Sequence, residues 1–152
     1  LKEEMEALKL YLDIERTRFG DRLRVDFDID PKAEIVRIPS LILQPLAENA
    51  IKYAIAPVEE GGTISVKARL FNDYVDIELN DTGPGMLSYH YKSASAGVGL
   101  RNTIDRLHGF YGDSYTFKID GKHAHGCKVF MRLPLEKKES IFEDLGSEVE
   151  QH

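Results

Sequence analysis

A single cysteine, Cys127, is all that this chain of 152 residues has, so an intrachain disulfide is excluded and a reducing compartment fits. No apolar stretch approaches the ~18 residues that a membrane-spanning helix needs, and charges break every run. There is no excess of bases: 26 acids stand against 20, whereas a nucleic-acid binder gathers lysine and arginine into a patch. The imbalance is uneven, because residues 136–152 hold six acids and two bases and supply −4 of the formal −6. The chain has no start methionine, no signal peptide with a basic head and apolar centre, and no internal repeat. It opens inside an amphipathic helix and is read as a piece of something longer. What is present is a globular composition, 42% hydrophobic and 30% charged, long enough for one domain that buries roughly two-thirds of its unfolded surface.

Periodicity divides the chain into elements. Residues 2–19 read as a helix, with Met5, Leu8, Leu12 and Phe19 near one face and Gly20 as the first interruption. Val25, Phe27 and Ile29 alternate with charges as a half-buried strand does, and Asp30-Pro31 ends it. A second helix is expected from about Ser40 to Ile55. Ile64, Val66, Ala68 and Leu70 mark a strand; Asn72-Asp73 is a turn; Val75, Ile77 and Leu79 return. A loop of small and polar residues follows to Ala96, then Gly97-Val98-Gly99, and a third helix carries Leu100, Ile104, Leu107 and Phe110 to Gly112. Tyr115, Phe117 and Ile119 pair with Val129, Met131 and Leu133 across a turn at Asp120-Gly121. Strands with one apolar face need cover on one side only, and three amphipathic helices supply it. The expectation is an α+β two-layer sandwich, a mixed and mostly antiparallel sheet covered on one face by helices. The acidic tail 136–152 reads as a frayed helix or a disordered segment.

Glycine lacks a Cβ, so its backbone can come close to a ligand, and Gly97-Val98-Gly99 leads into a helix whose first amides lack internal partners and suit a phosphate. A short glycine pattern alone is more often just a loop. Other phosphate-binding signatures fail on context. A Walker loop needs Gly-Lys before Ser or Thr, and Gly121-Lys122 precedes His123; a dinucleotide fingerprint needs a third glycine where Asn102 stands; and eukaryotic kinase signatures are missing. Asp81, just after a strand and two residues before Gly83, suits an exocyclic amine, though taken alone it is better explained by an Asx turn that ends the strand. Asn49 and Lys52 share a helix face; an amide oxygen suits Mg²⁺ and a lysine suits a phosphate.

The conjunction is more specific than its parts. Gln44-Pro45-Leu46-Ala47-Glu48-Asn49-Ala50-Ile51-Lys52-Tyr53, then Asp81-Thr82-Gly83-Pro84-Gly85, then Gly97-Val98-Gly99-Leu100 occur in this order, each at the boundary its task requires. The set resembles the boxes of the ATP-binding superfamily that contains gyrase, a heat-shock chaperone family, histidine kinases and mismatch-repair ATPases, built on the Bergerat fold. Together with Tyr11 to Phe19 and with Gly99-Leu100-Arg101-Asn102 before Arg106-Leu107, it resembles the LytS-like class of bacterial sensor histidine kinases over residues 1 to about 135.

That resemblance implies that Asn49 ligates Mg²⁺, Lys52 contacts a phosphate of ATP and Tyr53 packs on the adenine. It implies that Asp81 accepts from the adenine amine and that Gly83 and Gly85 leave room for the base. It implies too that Gly97, Val98, Gly99 and Leu100 lie along the phosphates, with backbone amides of Gly97, Gly99 and Leu100 donated to them, and that 86–96 form a lid. By the same resemblance, residues 1–20 lead in from a dimerisation and phosphoacceptor region, 21–135 form the ATP-binding kinase domain, and the fragment alone does not autophosphorylate. The full protein would be an inner-membrane homodimer with this domain in the cytoplasm, signalling to a response regulator. Three departures stand out. Where hydrolysing relatives carry a glutamate this chain has Pro45, which weighs against an ATPase. Gly126-Cys127 stands for glycine and threonine, and Tyr53 for a frequent histidine. The histidines His90, His108, His123, His125 and His152 lie in no phosphoacceptor context. A second reading is a nucleotide-responsive interaction module without transfer chemistry.

Overall fold

Parity decides which face of each strand meets the helices. The computed structural model describes residues 1–82, 94–120 and 126–135, with the backbone alone for 94–99. Helix α1 is Lys2–Phe19, followed by a 3-10 turn at Gly20–Arg22; strand β1 is Leu23–Ile29, followed by a 3-10 turn at Pro31–Ile35. Helix α2 is Leu43–Ala50, continued by one π-turn over Ile51–Ile55. Strands β2 (Gly62–Leu70) and β3 (Tyr74–Asp81) form a hairpin. Helix α3, Ala94–Tyr111, then leads to β4 (Thr116–Asp120) and β5 (Cys127–Pro134). The sheet order is β1-β2-β3-β5-β4. Only β1 against β2 is parallel, and the other three pairings are antiparallel. The mixed two-layer sandwich expected from the pattern is the architecture found.

Ile64, Val66 and Ala68 on β2, Val75, Ile77 and Leu79 on β3, and Val129, Met131 and Leu133 on β5 all face one layer and are buried. Leu8 and Leu12 of α1, Ile42, Leu43 and Ile55 around α2, and Leu107 of α3 meet them, each fully buried. Each such side chain contributes about 1.5–3 kcal/mol of burial. The opposite face is polar. Arg132 donates to both oxygens of Asp76 at 2.9 and 3.0 Å and lies 4.1 Å above the Tyr74 ring; Arg69 pairs with Asp28. These exposed pairs set solubility more than stability.

Two helix starts differ from expectation. The second helix begins at Leu43 instead of Ser40, because Leu41 adopts φ 59, a left-handed conformation that costs an L-residue roughly 1–2 kcal/mol. The third begins at Ala94, three residues before Gly97. Ala94 and Ala96 are the best helix formers, and extending an existing helix adds a hydrogen bond per residue ordered, which outweighs the glycines. Gly97, Val98 and Gly99 are therefore helical, in a stretch where helix amides bond carbonyls four residues back, so a phosphate approaching this end meets the amides of 94–96 first. Gly83, Gly85, the rest of the expected lid to residue 93, the turn at Gly121, the tail 136–152, and His90, His123, His125 and His152 lie outside the described residues. His108 is exposed on α3, 3.7 Å from Asp113 and edge-on to Tyr115.

Candidate nucleotide site

Helix α2 is held at both ends by residues remote in sequence. The first amides of any helix lack internal acceptors. Here Pro45 has no N–H to lose at the third position, and the Glu4 carboxylate of α1 accepts from Leu41, Ile42 and Leu43 at 3.1, 2.8 and 2.9 Å. At the far end the Arg22 guanidinium donates to the carbonyl of Val58 at 2.7 Å and of Ala56 at 3.3 Å, where the helix dipole favours a cation. Gly61, at φ +71, lets the chain pass Arg22; a Cβ there would sit 1.9 Å from the Arg22 carbonyl oxygen. Arg106 of α3 donates to the Ser40 hydroxyl at 3.2 Å, so all three helices converge on the start of α2. Nothing in the sequence signals Glu4 or Arg22, since capping at that distance has no periodic signature.

Held this way, α2 points Asn49 inward. Asn49 is 9% exposed, and its Nδ2 is buried with no hydrogen-bond partner among the described residues. A buried side-chain nitrogen without a partner is uncommon in a folded interior. Glu48, one residue earlier, is exposed and accepts from Gln44 at 3.2 Å. It faces α1, where burial first, then Glu15 and Glu48, push the Tyr11 hydroxyl up to about 12. Lys52 is exposed on the π-turn, its amine 5.2 Å from the centroid of the half-buried Tyr53 ring, within cation–π range.

Asp81 arrives by a different route. It is the last residue of β3 and shares the parity of Val75, Ile77 and Leu79, so its carboxylate points into the helix layer, 9% exposed. It lies between Ile64 of β2 and Cys127 of β5, and its Oδ1 accepts from the Cys127 N–H at 3.3 Å. Gly126, at φ +148, allows this approach, because a Cβ there would sit 2.0 Å from the Asp81 carbonyl oxygen. Thr82 fixes the exit from the strand: its hydroxyl accepts from Thr63 N–H at 2.9 Å, and its own N–H donates to Thr63 O at 3.2 Å. Gly62 makes room, since a Cβ would lie 2.5 Å from that hydroxyl. Periodicity does not reveal Gly62, Thr63 and Thr82 as supports of the site, although Thr82 beside Asp81 is a visible signal.

Asn49, Asp81 and Thr103 are the buried polar residues among the described ones. Helix α2, which carries Asn49, packs on both β3, which ends in Asp81, and α3, which carries the buried Leu100. Among the described residues no group of three or more His, Cys, Asp or Glu side chains is arranged to hold a metal ion. A metal here would rest on an amide oxygen, ligand phosphates and water, which matches the habit of Mg²⁺.

No family model matches the chain. It is 36% identical over 135 residues to the sensor histidine kinase YesM of Bacillus subtilis, an alignment covering 88% of this chain and 23% of that protein. It is 29% identical over 134 residues to the sensor histidine kinase BtsS of Escherichia coli, again 88% and 23%, and 27% identical to the sensor protein LytS of Enterococcus faecalis over 91% and 25%. The chain thus spans about a quarter of these relatives. In structure it superposes on the catalytic domain of the histidine kinase ThkA in a nucleotide-free form, with a TM-score of 0.67, 16% identity, and coverage of 89% and 92%. The chain is thus related in sequence to the sensor histidine kinases, LytS among them, and has the fold of a histidine kinase catalytic domain.

Proposed function

We propose that this chain is the ATP-binding catalytic domain of a sensor histidine kinase, holding Mg-ATP and delivering the γ-phosphoryl to a histidine on dimerising helices outside these 152 residues. The observation that carries the reading is the burial of Asn49 and Asp81 on a helix and a strand that pack together, with the Asn49 Nδ2 unpartnered among the described residues. Asp81 accepts from the adenine amine while its Oδ1 keeps the Cys127 amide. Tyr53 packs on the base, Gly83 and Gly85 make room for it, and Lys52 pairs with a phosphate. The Asn49 oxygen holds Mg²⁺, which when bound neutralises charge across the phosphates. Gly97, Val98, Gly99 and Leu100 line the phosphate side, with the start of α3 supplying amides. Pro45, one turn before Asn49, has no carboxylate to activate water, so the acceptor is a protein side chain. In the full protein the domain faces the cytoplasm from the inner membrane, works in a homodimer and serves a response regulator. The residues 1–20 connect it to the acceptor helices, and 21–135 form the domain itself.

The test is a titration with ATP and Mg²⁺ followed by thermal unfolding. At a hundred times the Kd, a ligand bound by the folded state alone adds about 2.7 kcal/mol; no shift overturns the reading. Asp81→Asn retains the acceptor for Cys127 and should unfold near the wild-type temperature. Its affinity for ATP should fall about tenfold or more, the loss expected from a misplaced donor, and calorimetry showing unchanged affinity would remove the adenine role. Joining the chain to the acceptor helices separates the kinase from an interaction module: phosphohistidine forms only with the former.

A further inference from the structure

The clamp at the start of α2 has a second aspect, because its two halves belong to different helices. Glu4 lies in the first turn of α1, whose buried side chains Met5, Leu8 and Leu12 pack in the shared core. Its carboxylate takes three consecutive amides, and the middle of that stretch follows the one non-glycine residue with positive φ among those described, Leu41. A leucine keeps that conformation only where surrounding bonds over-determine it. Asn49 sits six residues after the last clamped amide, on the same eight-residue helix. Glu4 itself is only half-buried and Leu41 is exposed, so the clamp can be broken without removing a core side chain.

We propose that Glu4 is a positioning residue that couples α1 to the nucleotide site: with the clamp made, α2 starts at Leu43 and Asn49 is held for Mg-ATP; with it broken, the turn at Leu41 relaxes and α2 loosens from its N-terminal end. The proposal rests on the nucleotide reading and adds the element that regulates it. An input moving α1 would then alter metal–phosphate binding and leave base recognition at Asp81 untouched, because Asp81 is held by β2 and β5 instead.

The experiment uses the 152-residue chain, with Glu4→Gln as the variant and Glu3→Gln as a control that removes the same charge from an exposed neighbour. Calorimetry is run well below the unfolding temperature with Mg-ATP and with adenosine, and amide exchange is followed by mass spectrometry. Expected for Glu4→Gln are faster exchange at Leu41 to Leu43 and along α2, about fivefold weaker Mg-ATP binding, on the scale of a lost charge-assisted cap, and unchanged adenosine binding. Adding Leu41→Gly, which removes the strain, should restore part of the affinity. Unchanged Mg-ATP affinity, an equal loss in Glu3→Gln, or an equal loss for adenosine overturns the clamp as a coupling device. Should the wild-type chain bind no Mg-ATP, the nucleotide reading falls, and exchange along α2 still decides the clamp: unchanged rates overturn it.

Discussion

Asn49 and Asp81 are buried to the same extent, 9% exposed, yet opposite kinds of structure put them there. Asp81 is placed by alternation: three residues of β3 before it with the same parity are core, and neighbours on both sides hold the strand in register. Asn49 is placed by a short helix that has no side-chain cap of its own and depends on Glu4 at one end and Arg22 at the other. A strand end inside a sheet is over-determined by hydrogen bonds on two flanks. A helix of eight residues is marginal by itself and takes its position from whatever packs against it. The two halves of the candidate site should therefore fail differently.

The largest effect is expected where the strand side is tightest. Gly126→Ala places a Cβ 2.0 Å from the Asp81 carbonyl at a φ of +148, so β5 must move off β3. A loss of about 3 kcal/mol or more is expected, read as a lower urea midpoint, and ATP affinity should fall with it. A midpoint unchanged from wild type would mean that the strand end yields as readily as the helix does. Next comes the helix side. Arg22→Met keeps the apolar stem and removes the donors to the carbonyls of Ala56 and Val58, and about 1.5 kcal/mol is expected. Amide exchange should quicken over 51–58 while β3 keeps its protection; equal quickening in β3 would show that the two halves unfold as one.

The smallest effect reports on the seat of α1. Tyr11 has its pKa raised from 10.0 to about 12, chiefly by burial and then by Glu15 and Glu48. An acid whose folded pKa lies above the unfolded one adds stability that is whole below pH 10 and is lost as pH rises towards about 12. Tyr11→Phe should therefore flatten the alkaline limb of stability measured between those values while leaving neutral stability nearly unchanged. If the two proteins decline in parallel, Tyr11 is not held against α2 in the way the structure has it.

Residues that read clearly in the sequence are those whose placement follows a short period. Leu8 and Leu12 on α1, Ile64 and Val66 on β2, and Ile77 and Leu79 on β3 share faces because 3.6 and 2 are properties of the backbone. The parity that buries Asp81 is visible in the same way. Boundaries read less well. Ser40 has the look of a helix start, but Leu41 turns left-handed and the helix waits until Leu43. Gly97 has it too, but the alanines before it extend the helix back to Ala94. In each case local residue preference is overridden nearby, by the left-handed turn at Leu41 in the first and by an adjoining run of helix formers in the second.

By itself, the sequence determined which residues are apolar at which spacing, hence two layers, the helix and strand count, and the order of the motifs that resemble a kinase nucleotide site. Those are local quantities, settled within a few residues of chain. Only the tertiary structure decided that β5 inserts between β3 and β4, that Gly126 must pass against Asp81, and that a glutamate in the first turn of α1 accepts from the amides at the start of α2. These are meetings between residues tens of positions apart, and no period in the sequence encodes them, because they exist only once the layers have closed on each other.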